Sequence, residues 1–143
     1  SKGRPETINL LKDRKNRWAG SSNFGVRSER QKDGSLKEGK KTIVQEYGIR
    51  WNIWDIDVGY GYSATDDIAY RHPAIFPEQL AHDHILSWSN RGDVVLDPFM
   101  GSGTTLYSAR CLGRKSIGVD VSTEYCEIAK NRVETVQLEG IFD

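Results

Sequence analysis

Cysteine is almost absent from this 143-residue chain, and the two present, Cys111 and Cys126, fall in separate predicted helices. Two cysteines without ligand-like spacing exclude a disulfide scaffold and a thiolate metal site, and predict buried free thiols in a reducing cytoplasm. No apolar run approaches the ~18 residues of a membrane span, and no charged-then-apolar stretch has the form of an export leader. Internal repeats and low-complexity tracts are missing too, so the length predicts one domain with a modest core. Proline occurs four times and never as an adjacent pair. Net charge is also missing, with 20 Lys+Arg against 20 Asp+Glu, but the balance is uneven along the chain. Residues 1–50 hold 13 basic and 6 acidic side chains, a net +7, and residues 51–143 hold 7 and 14, a net −7. Such a split predicts a basic segment that faces nucleic acid, joined to an acidic folded body.

The chain is organised around Asp93–Thr105, which reads DVVLDPFMGSGTT. Val94, Val95 and Leu96 predict a buried strand ending in Asp97, and Pro98 breaks it into a glycine turn. Leu106, Ala109 and Leu112 recur at threes and predict a helix over Thr104–Leu112 that Gly113 stops. A second strand, Ser116–Val121, carries Asp120, and a further helix follows over Thr123–Val136 with Ser122 as its cap. Its predicted buried stripe is Tyr125, Ile128, Ala129, Val133 and Val136. Strand, glycine loop, helix, strand and acid make the first half of a nucleotide-binding α/β sheet. Gly101 and Gly103 let the backbone turn and approach a ligand, and Asp97 stands at the carboxyl end of its strand, where such sheets bind ligands. Asp120 lies 23 positions beyond Asp97, near the spacing at which an acid meets ribose hydroxyls. The third glycine of a dinucleotide loop is missing, as is the Gly-Lys-Ser/Thr of a triphosphate loop. An acid in the loop repels phosphate and suits a cationic ligand. The plainer alternative is a glycine turn that merely packs.

DPFMGSGTT resembles the first motif of the DNA methyltransferases that modify adenine N6 or cytosine N4, and GVD at Gly118–Asp120 resembles their second. The block from His72 to Leu80, HPAIFPEQL, is similar to the family's tenth motif, and its place before the glycine loop matches the circularly permuted, β-type members. The resemblance implies an α/β fold, a partial Rossmann-like methyltransferase sheet with flanking helices preceded by a basic irregular segment. It also implies S-adenosylmethionine as cofactor. The expected cofactor-binding residues are His72, Pro73, Ala74 and Phe76 over the methionine end, then Asp97, Pro98, Phe99, Gly101, Ser102, Gly103 and Thr104 in the loop. Asp120 and Val121 complete the set on the ribose side.

Residues 1–41 are expected to form the recognition segment and 42–143 the cofactor-binding half-domain. Lys12, Arg14, Lys15, Arg17, Arg27 and Arg30 are placed to neutralise phosphates of double-stranded DNA, and Trp18 or Phe24 to stack beside a base. The alternative is a solvated loop whose charges keep it soluble. A turn is predicted at Asp33-Gly34. Thr42–Gln45 is β-prone, and Trp51–Val58 alternates like a strand with Trp51 and Trp54 in the core. Gly59–Ser63 is a connection, and Glu78–Asn90 reads as a helix with Ala81, Ile85 and Trp88 on one face and Gly92 as its cap. His82 and His84 face different ways on that helix, so exposed or capping roles are expected and no metal site.

Amino-methylating members of the family act through a motif of the form Asp/Asn/Ser-Pro-Pro-aromatic, which holds a flipped base and accepts bonds from its amine. No Pro-Pro pair occurs here, and Asp97-Pro98-Phe99 belongs to the cofactor loop. In permuted members that motif precedes the recognition segment, so it is expected upstream of Ser1, and no catalytic residue is assigned. The reading is a carboxyl-terminal part of a DNA methyltransferase, inactive alone and completed by an amino-terminal half or a second copy. The alternatives are a non-catalytic cofactor- or DNA-binding module, half of a split enzyme, or a methyltransferase of RNA or protein glutamine.

Overall fold

A computed structural model describes residues 6–22, 28–38 and 42–136. Contacts divide the chain into two compact units, Leu10–Ile53 and a larger one made of Ser1–Asn9 with Trp54–Asp143. The division expected between Lys41 and Thr42, where the periodicity changes, falls inside the smaller of these units. Residues 47–53 fold back onto the basic segment, through strand pairing and an Arg50 N–H bond to the Leu11 carbonyl at 2.9 Å.

The smaller unit contains four short strands: β1 (Arg14–Lys15), β2 (Ser28–Arg30), β3 (Leu36–Glu38) and β4 (Tyr47–Gly48). β1 pairs antiparallel with β4, and β2 with β3. The β2–β3 hairpin closes at Asp33-Gly34, as expected, with Gly34 at φ +83° and the Asp33 carboxylate accepting from the Ser35 N–H at 2.9 Å. Those bonds hold the Asp33 carboxyl below the usual carboxylate value, chiefly through the Ser35 hydroxyl and then its amide. Of the β-prone Thr42–Gln45, only Ile43 forms a bridge, to Ser22. Arg50 and Asp13 form an ion pair.

The expected strand over Trp51–Val58 is not formed. No described strand lies alongside it to complete a ladder, so only a trace of the alternation survives, with Trp54 and Ile56 half-buried and Asp55 and Asp57 exposed. Trp51 is 65% exposed rather than core, and carries the Arg14 guanidinium 4.5 Å from its ring centroid.

In the larger unit a short 3₁₀ turn (Ala69–Arg71) leads to α1 (Glu78–Trp88), β5 (Val94–Asp97), α2 (Thr104–Cys111), β6 (Lys115–Gly118) and α3 (Thr123–Thr135). β5 and β6 are parallel, in register from Val94↔Lys115 to Asp97↔Gly118, with α2 as the crossover. Helices α1 and α2 pack through Ala81, Ile85 and Ala109, with Val95 and Leu112 against them. β5, expected as a buried strand, is covered on one face only. Val94, Leu96 and Ile117 point to the other face and are 58%, 63% and 55% exposed.

Helix α1 ends two residues earlier than expected, and Ser89, not Gly92, is its cap. Its last carbonyls are taken by distant groups: the Asn9 amide donates to Leu86 and Ser89 carbonyls at 3.0 and 2.9 Å, and Arg114 to Ser89 at 2.7 Å. Trp88, expected on the buried face, is 53% exposed. β6 ends at Gly118 rather than Val121, because the loop after β5 folds over it: Met100 N–H donates to the Val119 carbonyl at 3.1 Å. Gly113 at φ +72° stops α2, and the Ser122 hydroxyl caps α3 by accepting from Tyr125 N–H at 3.3 Å, both as expected. Cys126 is half-buried and Cys111 exposed, against the expectation of two buried thiols; both are free.

Candidate functional site

The site forms where β5 and β6 end side by side. Parallel pairing of Asp97 with Gly118 puts Asp97 at the end of β5 and Asp120, two residues beyond the end of β6, at the same edge. Asp97 Oδ1 accepts from the Phe99 N–H at 3.0 Å, fixing the turn through Pro98. The loop then closes on itself through Gly103 N–H to the Met100 carbonyl at 2.7 Å.

Asp120 ties this loop to the start of α3. Its Oδ2 accepts from Gly101 N–H at 3.0 Å and its Oδ1 from Ser122 N–H at 2.9 Å. The Ser122 amide has the largest effect and holds the Asp120 carboxyl below the ordinary aspartate value; burial opposes it next, and the Gly101 amide and the neighbouring His72 add to the lowering. A carboxylate offers about four acceptor positions, so these two bonds leave Asp120 able to accept from a ligand.

Both loop glycines sit in the left-handed region, Gly101 at φ +51° and Gly103 at φ +77°. A Cβ on Gly101 would stand 3.1 Å from His72 Nε2, and one on Gly103 would stand 2.6 Å from the Ala129 Cβ. The loop is therefore pressed between the His72 ring and α3. The His72 ring also packs at a tilt against Tyr125, ring centroids 4.3 Å apart, and its Nδ1 accepts from Ala74 N–H at 3.1 Å.

The structure thus gathers His72, Asp97, Gly101, Gly103 and Asp120 around one edge, and Ala74, itself exposed, is bonded to His72. Pro98, Phe99 and Val121 stand out into solvent, Phe99 at 88% exposure, and Pro73 and Phe76 are exposed as well. Ser102 and Thr104 are buried and turn away from that edge toward Arg132. His82 bonds its neighbour Asp83 at 3.3 Å and His84 packs on Trp54. Among the described residues, no cluster of His, Cys, Asp and Glu large enough to hold a metal ion is formed. A cavity of about 710 Å³ lies elsewhere, between the segment after Gly61 and helices α1 and α2, lined by Tyr62, Asp67, Tyr70, Tyr107 and Cys111.

In the smaller unit, Lys12, Lys15, Arg17 and Arg30 are exposed. Arg14 is half-buried, donating from Nε to the Ile49 carbonyl at 2.9 Å while covering Trp51. Arg17 lies over the Trp18 ring, which is 60% exposed. Arg27 and Phe24 lie outside the described residues.

Two contributors were not singled out from the sequence: Arg132 and, as a partner of His72, Tyr125. Arg132 had a signal, since it continues the buried stripe of α3 at the spacing Tyr125, Ile128/Ala129, Arg132. A charge on an apolar stripe is buried only when it is paired.

Residues 3–131 match the family model described as DNA methylase. The chain belongs to the DNA methylase family. Within it, the chain is 53% identical over 135 residues to the orphan methyltransferase M.BamHII of Bacillus amyloliquefaciens, covering 94% of this chain and 51% of that protein. It is 33% identical over 129 residues to the DNA adenine methyltransferase YhdJ of Escherichia coli (strain K12), covering 87% of this chain and 42% of the relative. The solved PvuII DNA methyltransferase, cytosine-N4-specific, shares the fold of this DNA methylase chain. It is 25% identical with a TM-score of 0.53, over 64% of this chain and 33% of that one. The α/β, Rossmann-like class expected from the motifs is the class observed. The chain spans about half the length of the first of these relatives, and less of the others.

Proposed function

We propose that this chain supplies the S-adenosylmethionine-binding part, and part of the DNA-facing surface, of a DNA amino-methyltransferase acting on adenine N6 or cytosine N4. The observation that carries the reading is the Asp120 carboxylate, which bonds the Gly101 amide on one side and the Ser122 amide on the other. It keeps acceptor capacity at the strand edge where the glycine loop gives a ligand room to approach. When bound, the cofactor supplies a methyl group on a positively charged sulfur. The chain's own residues would bind and orient it: Asp120 would accept from ribose hydroxyls, Asp97 would contribute negative charge toward the cationic cofactor, and the loop backbone would give it close approach. His72, Pro73, Ala74 and Phe76 would cover its methionine end. Among the similar proteins one is named for adenine and another for cytosine N4, which leaves both amines as substrates of the proposal.

Calorimetry with S-adenosylmethionine tests the cofactor assignment, on the chain alone and with an upstream polypeptide of the family added. Asp120→Ala should weaken binding by about tenfold or more, as expected for loss of a bond to a charged acceptor. Undiminished affinity in that variant removes Asp120 from the site.

A further inference from the structure

Besides Asp120, a second side chain ties the glycine loop to the rest of the larger unit. Arg132, on the last turn of α3, has no exposed surface. Its Nη1 donates to the Ser102 carbonyl at 2.9 Å and to Thr104 Oγ1 at 3.2 Å, with Ser102 Oγ at 3.5 Å. Its Nε donates to Asp66 Oδ2 at 2.9 Å and its Nη2 to Glu78 Oε1 at 2.6 Å. The guanidinium plane is thus used on three sides, as only a fork of fixed geometry allows.

Its partners are themselves committed. Asp66 Oδ1 accepts from the Ala69 N–H at 2.9 Å, which fixes the start of the short turn that delivers His72. Glu78 Oε2 accepts from the Thr65 N–H and hydroxyl at 3.1 and 3.0 Å, and Glu78 opens α1. Thr65 Oγ1 in turn lies 3.1 Å from the Tyr107 hydroxyl, and the Arg132 guanidinium lies 5.0 Å from the Tyr107 ring centroid. One cation therefore joins the loop, the segment that presents His72, the first turn of α1 and α3.

We propose that Arg132 is a positioning residue: it sets the conformation of the Gly101–Thr104 loop and its register against His72. The name "cofactor loop" rests on the reading given above; the anchoring itself rests on the bonds just described. Fixing is needed because glycine loses more conformational freedom on ordering than any other residue, and a binding loop built on Gly101 and Gly103 loses affinity unless something else orders it. The two carboxylates do not reach the loop. They neutralise the buried guanidinium, and so make it possible for a cation to sit beneath a carbonyl.

Two variants separate positioning from bulk stability. Arg132→Lys keeps the charge but reaches fewer of the acceptors from a single nitrogen. The triple variant Asp66→Asn, Glu78→Gln, Arg132→Met removes the buried charges together, so that none is left unpaired. Amide hydrogen exchange is measured on both without cofactor. Gly101 and Gly103 amides should exchange about tenfold faster than in the parent, while Leu96 and Ile117 in β5 and β6 change little. In the triple variant, thermal stability should return toward the parent while the loop amides stay fast and S-adenosylmethionine affinity stays low.

If every amide accelerates together, or the loop amides recover along with stability, Arg132 is a structural ion pair and the proposal is overturned. Unchanged loop exchange in both variants overturns it equally. Should the parent fail to bind S-adenosylmethionine under any condition, the cofactor reading falls, while exchange still decides whether Arg132 anchors the loop.

Discussion

At the scale of single residues, the site depends on groups whose conformations and protonation states are held by backbone amides. Asp120 is the acid most constrained this way. Its folded value lies below the ordinary aspartate value of 3.8, through the Ser122 and Gly101 amides and the nearby His72. A lowered value means the carboxylate contributes its bonds fully above the unfolded value, and loses them as pH falls through the folded one. Tying of the loop to α3 should therefore be unchanged from neutral pH down to about pH 5 and loosen only in stronger acid. NMR titration of the Gly101 and Ser122 amides checks this, with a shared midpoint below 3.8 as the expected result; a midpoint above it contradicts the assignment. Gly103 carries a second prediction. Its φ of +77° and the 2.6 Å approach of any Cβ to the Ala129 Cβ combine strain with overlap. Gly103→Ala should cost about 2–5 kcal/mol in urea unfolding, the sum of left-handed strain and overpacking. A cost under about 0.5 kcal/mol, the size of an ordinary surface change, would mean that α3 yields freely.

At the scale of elements, the basic segment is not a uniform cloud of charge. Arg14 is bound to the Ile49 carbonyl and stacked on Trp51, which makes it part of the β1–β4 pairing, while Lys12, Lys15 and Arg17 are exposed. Replacing those three by Ala, and leaving Arg14 in place, removes positive charge without disturbing the strand pair. If the segment meets DNA backbone, the slope of log affinity against log salt should become shallower by up to about 0.9 per lost phosphate contact, or about 2–3 in all. Fluorescence anisotropy with a mixed-sequence duplex across a salt series measures it. An unchanged slope, or no binding at low salt, makes the segment a solvated surface.

At the scale of the whole molecule, the 143 residues hold no Pro-Pro-aromatic motif, so no group in this chain is assigned to hold a flipped base and accept from its amine. The chain alone should transfer no methyl group, since productive transfer needs donor and acceptor aligned within about 3–3.5 Å. A tritiated-methyl assay with the chain alone, and then with an upstream family polypeptide added, tests this. Incorporation by the chain alone above an Asp97→Ala control would mean the catalytic group has been misplaced. Incorporation only after addition would exclude a purely binding role. The sequence by itself determined the strand–loop–helix–strand order, because glycine punctuation, strand-end acids and apolar periodicity are local signals that Gly113 and Ser122 terminate or begin where expected. What only tertiary structure decided lay wherever the deciding partner is distant in sequence. Helix α1 stops at Trp88 because Asn9 and Arg114 take its last carbonyls. Trp51 leaves the core because no strand among the described residues lies beside it, and it joins Arg14 instead. Arg132 is buried because Asp66, 66 positions away, and Glu78, 54 positions away, neutralise it. The α3 stripe marked Arg132 as a candidate for burial, but whether a charge there can be buried is set by the partners that folding brings to it.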